Sequence, residues 1–143
     1  MATDKPPYND SDLVDISWYN ENKRIIHWKF KNGWHWHDFF GCVEKSNRMS
    51  LESQTTFVVL ADFSKNPWQP NGALHLLPTA LKKANSNFIG SVTFGSTFVN
   101  LMVGGVGKLV PPLAQKLQVG KNLDDCIVKA HKIIHDYDHL PKN

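Results

Sequence analysis

RIIHWKFKNGWHWHDFFGCV, residues 24–43, contains the change of rhythm on which the fold turns. From Arg24 to Lys31 the residues alternate, with Ile26, Trp28 and Phe30 on one side and Ile25, His27 and Lys29 on the other. A period of two is that of an extended strand. Past Gly33 the period lengthens: Phe39, Phe40 and Val43 fall on one helical face, which predicts a helix from His37 to about Met49. GWHWHD, residues 33–38, is therefore a corner between a strand and a helix.

Upstream, Leu13 to Tyr19 also alternates, through Val14, Ile16 and Trp18, and Asn20-Glu21-Asn22-Lys23 has turn chemistry. The two strands read as a β-hairpin with one buried face. Downstream, Phe57-Val58-Val59-Leu60-Ala61 is a continuous apolar run, as in a strand buried on both faces. Gly72 to Ala84 reads as a helix with Ala73, Leu77, Ala80, Leu81 and Ala84 inward, and with a kink or restart at Pro78. Phe88 to Gly95 is the next buried strand, and Thr97 to about Val110 the next helix, broken or restarted by Pro111-Pro112. Leu117-Gln118-Val119 is a short last strand. Asn122 then caps a final helix with Asp124 and Asp125 in its first turn, where the helix dipole favours negative charge. Its inner stripe is Leu123, Ile127, Ala130 and Ile134, with His131 read as a core histidine. The order β-β-α-β-α-β-α-β-α predicts one α/β domain over residues 13–137, a mixed sheet parallel after its hairpin. Residues 1–12 form a lead-in and 138–143 a tail.

Composition agrees with a single globular domain: 143 residues, 41% hydrophobic and 20% charged. No apolar run approaches the ~18 residues of a membrane span. MATDKPPYNDSD lacks an apolar signal core, so a cytoplasmic location is expected. A net charge of +3 spread among acidic residues, with Lys82-Lys83 the lone basic doublet, argues against nucleic acid. Cys42 and Cys126 sit inside helical patterns without CxxC partners and read as buried reduced thiols.

The chemistry-bearing candidates are few. His35, His37 and Asp38 could offer donors to a metal, but the histidines straddle a change of direction. His35 as helix N-cap, Asp38 three residues later, and Trp34 and Trp36 seated on the core make a structural corner instead, so no metal is assigned. Gly104-Gly105-Val106-Gly107-Lys108 resembles a phosphate loop superficially. Met102 stands where that loop needs its first glycine, and Leu109 where it needs Ser or Thr. No GxSxG elbow is present, and nothing pairs a nucleophile with a base, so neither an enzyme nor a cofactor is expected. What remains is the rim at the carboxyl ends of the buried strands, where open α/β sheets bind their ligands. It carries Asp62, Ser64, Trp68, Asn71, Gly72 and Ser96.

The hairpin, the Gly-Trp-x-Trp-x-Asp-Phe corner, the strand ending Ala61-Asp62-Phe63-Ser64 and the helix opening at Asn71-Gly72-Ala73-Leu74 resemble a STAS-type domain, the fold of the anti-sigma-factor antagonists, in a divergent bacterial branch. Gly95-Ser96 and Asn122-Leu123-Asp124-Asp125 fit the same layout. The resemblance implies a cytoplasmic regulator that binds a protein partner and is switched by phosphorylation of the second serine of an Asp-Ser-Ser-Gly loop. Gln69-Pro70-Asn71-Gly72 stands there in this chain, so Asn71 occupies the phosphoacceptor position and the serine switch is not expected. The alternative is a carrier or sensor of a small apolar ligand, suggested by 5 Trp and 8 Phe. A homodimer is compatible with either.

Overall fold

A computed structural model of the chain describes residues 12–65, 73–95, 105, 108, 111 and 116–141. The elements follow as β1 (Val14–Trp18), β2 (Ile25–Phe30), α1 (Trp36–Ser53), β3 (Phe57–Asp62), α2 (Ala73–Lys82), β4 (Phe88–Phe94), β5 (Leu117–Val119) and α3 (Leu123–Asp138). They form an α/β domain with a five-stranded mixed sheet in the order β1-β2-β3-β4-β5. β1 and β2 are antiparallel, and every later pairing is parallel. Most of the expected helix between β4 and β5 lies outside the described residues.

The hairpin turn is held by the Asn20 side chain, whose Oδ1 accepts the Asn22 N–H at 3.1 Å. Lys23 there takes a left-handed backbone, φ 55°. At the next corner the His35 N–H donates to Asp38 Oδ2 at 2.8 Å, the capping contact expected from the spacing. The helix that follows starts one residue before the expected His37 and runs to Ser53, four beyond Met49, because Ser46 and Ser50 are buried on its inner face beside Val43. Pro78 does not restart α2; one helix runs through it.

Sequential parallel strands joined by right-handed crossovers place the intervening helices on one face. Residues of α1 and α2 accordingly share a core with Ile26, Trp28, Phe30, Val59 and Phe88. On the other face, among the described residues, α3 covers Ile25, Val58, Leu60, Val92 and Phe94 through Cys126 and Ala130. This corrects the reading of the hairpin as half-exposed: β3 pairs with the far side of β2, and Ile25, Ile26, His27 and Trp28 are all buried. It also corrects His131, which is exposed while Ile133 and Ile134 turn toward the sheet. The end of α3 ties back to the start of β2, where Arg24 donates to both oxygens of Asp138 and to the Thr56 carbonyl and hydroxyl. No helix among the described residues is long and apolar enough to cross a membrane.

Candidate functional site: the rim of strands β3 and β4

β3 ends at Asp62, and Phe63 turns inward to stack on Phe30 with centroids 4.3 Å apart. That anchor leaves Asp62 and Ser64 on either side at the rim, Asp62 half-buried and Ser64 exposed. The Ser64 N–H donates to Asp62 Oδ1 at 2.8 Å, so the carboxylate fixes the turn that presents the serine. From the neighbouring strand, Phe94 accepts the Phe63 N–H at 3.0 Å. Gly95 comes next, at φ +109°, a backbone conformation that L side chains rarely adopt. A Cβ there would fall on the Ser64 amide nitrogen and lie 2.6 Å from the Phe63 carbonyl carbon. The ends of β3 and β4 are thus in direct backbone contact, possible only because residue 95 is glycine.

The structure therefore brings Asp62 and Ser64 together with Gly95, which immediately precedes Ser96 in sequence. Trp68, Asn71, Gly72 and Ser96 themselves lie outside the described residues. The sequence singled out Gly95 only within a motif, and its role as the close-contact point was missed. A glycine directly after a buried strand was the available signal.

The corner 33–38 is a packing device. Trp34 is 0% and Trp36 7% exposed. Trp34 meets Trp36 edge-on at 5.3 Å, and both rings pack against Phe39. His35 and His37 face outward. No group of three or more His, Cys, Asp or Glu among the described residues is placed to hold a metal ion. Both thiols are buried and free. Burial, with Asp38 adding to it, pushes Cys42 far above the ordinary thiol range; burial, with Asp125 adding to it, pushes Cys126 up to about 11. Neither is a thiolate near neutral pH, and so neither is a poised nucleophile.

Two other concavities bound the alternatives. Between the sheet and α2 lies an apolar cavity of about 40 Å³, lined by Trp28, Phe39, Val59, Leu77 and Phe88 among others. Small-molecule pockets are roughly 300–1,000 Å³. An open groove of about 340 Å³ lies at the opposite end of the sheet, between the hairpin turn and α3, and its Arg24 is already engaged by Thr56 and Asp138. Compared with family models, curated proteins and solved structures, the chain matches none.

Proposed function

We propose that this chain is a non-enzymatic regulatory domain of the STAS-like kind, which binds a protein partner through the rim at the carboxyl ends of β3 and β4. The observation that supports this reading is the backbone contact between Gly95 and Ser64, which holds the ends of β3 and β4 together beside Asp62 and Ser64. A hairpin followed by parallel strands, with α1 between β2 and β3 and α2 between β3 and β4, is compatible with the layout the resemblance implies. Asn71 at the phosphoacceptor position makes this a member that works without the serine switch. The raised pKa values of both thiols speak against cysteine chemistry. An apolar-ligand carrier is the less supported alternative, because the cavity of about 40 Å³ is several times smaller than a ligand pocket.

The test is a photo-crosslinker placed at residue 64 and, as control, at Val128, which is 67% exposed on α3. A discrete partner captured from residue 64 alone, and lost in Ser64→Arg without a change in melting temperature, is the expected result. Equal capture from both positions, or from neither, refutes the rim assignment.

A further inference from the structure

We propose that two copies of this chain associate through the outer edges of β1, as an antiparallel pair centred on Ile16, joining two five-stranded sheets into one. The inference does not rest on the rim reading, since β1 stands at the opposite side of β2 from β3.

β1 is an end strand, and among the described residues nothing pairs with its far side. The phase of its hydrogen bonds is fixed by the contacts at its two ends. The Tyr19 N–H donates to the Ile25 carbonyl, and the Lys31 N–H to the Leu13 carbonyl, both at 2.8 Å. Odd-numbered residues therefore turn their backbone groups toward β2. Because these directions alternate along a strand, the N–H and C=O of Val14, Ile16 and Trp18 point outward. Natural sheets blunt such an edge with lysine, proline or a bulge. VDISW has none of these, and Asp15 is its single charge.

The sequence of the edge also selects a register. With Ile16 opposite Ile16 of the second copy, Val14 faces Trp18 and every outward N–H and C=O of the three residues finds a partner. Asp15 then faces Ser17. A shift that sets Val14 against Ile16 brings Asp15 opposite Asp15, and like charges directly opposite are unfavourable. A shift that sets Ile16 against Trp18 leaves Val14 outside the pairing. In the centred register Val14, Ile16 and Trp18 lie on the α1 face, so their apolar row runs unbroken across the two-fold axis. Ile16 and Trp18 are only partly covered in the single chain, and Tyr19 beside them is 38% exposed. The surface is self-complementary, as an isologous dimer requires.

Sedimentation of the full chain over a concentration series tests the proposal. The native chain is expected to self-associate. Ser17→Asp, opposite Asp15 of the second copy, is expected to weaken the association by roughly threefold to tenfold. Ser17→Lys strengthens it, and Asp15→Lys combined with Ser17→Asp restores it. Ser17 is exposed on the single chain, so the two Ser17 single variants are expected to keep the native melting temperature. Ile16→Cys gives a second readout: residues 16 of the two copies would lie about 5.5 Å apart at Cα, within disulfide reach. The native thiols are buried, so oxidation reports on position 16 alone. A chain that stays monomeric throughout the series overturns the proposal. So does a dimer indifferent to the charge at residue 17, or equal crosslinking from Asp15→Cys and Ile16→Cys.

Discussion

Replacing Gly95 with alanine separates two kinds of backbone cost at the rim. The first is conformational: φ is +109°, and holding a residue with a Cβ in such a region costs about 1–3 kcal/mol. The second is steric. The new Cβ meets the Ser64 amide nitrogen, with the Phe63 carbonyl carbon at 2.6 Å and Ser64 Cα at 2.7 Å. All three are backbone atoms, so no side-chain rotation relieves the overlap and the strand ends must part, at a further 1–3 kcal/mol or about that. The sum, roughly 2–6 kcal/mol, is a large share of the ~5–15 kcal/mol that holds such a domain folded. Gly33→Ala is the control, because Gly33 has φ +92° but nothing within 4 Å of the position a Cβ would take. It suffers only the conformational cost of about 1–3 kcal/mol. Urea unfolding followed by far-ultraviolet circular dichroism gives both values, provided the slopes match that of the native chain. Gly95→Ala is expected to lose clearly more than Gly33→Ala. Equal losses would mean that the strand ends are not locked together, and the rim would lose its rigidity as an argument for binding.

Ser46→Ala is expected to cost about 1–3 kcal/mol, because Trp28 Nε1 donates to Ser46 Oγ at 2.9 Å in a buried site and would be left unpaired. Thermal melts of the single and of the Trp28→Phe double variant measure it, and additive losses would show that the bond contributes nothing. His27→Phe is expected to be neutral or to stabilise by up to about 3 kcal/mol at pH 7, since His27 is 8% exposed and its Nε2 has no partner. Burial, aided by the Lys29 charge and opposed by Asp62, holds this imidazole below its usual range. The unfolded chain therefore takes up the proton first as the pH falls below about 6.5, and stability declines with acidification from there. Urea midpoints between pH 7 and pH 5 should fall less steeply in His27→Phe, and parallel slopes would contradict the assignment.

What could be read from the sequence was whatever local chemistry decides. The corner was legible because a capping contact between His35 and Asp38 spans three residues, and β3 because a short, β-branched apolar run suits a strand covered on both sides. Asn122 was legible for the same reason, as its Oδ1 accepts the Asp125 N–H at 2.9 Å. The double burial of β2 was hidden, because it depends on β3 taking up the far side of the hairpin, and nothing within residues 24–31 encodes a partner 33 positions later, the offset of Ile25 from Val58. His131 was misread because α3 rests on the sheet along a narrow line through Cys126 and Ala130, and residue 131 falls just beyond it. At the rim Asp62 and Ser64 were legible as a strand end, whereas the approach of Gly95 is a contact between distant segments.

The order of strands in the sheet is the order of strands in the chain. Each β-strand that leaves a ribosome therefore finds its template already made: the hairpin offers β2, β2 offers β3, and β3 offers β4. No early strand of this sheet waits for a late one to be inserted between it and its neighbour. The long-range closure comes after the last of these strands, when α3 lies back across the sheet and Asp138 reaches Arg24, 114 residues earlier. Chains that stop after Val119 but before Asp138 would hold the five described strands yet lack the contact that ties α3 to the start of the second strand.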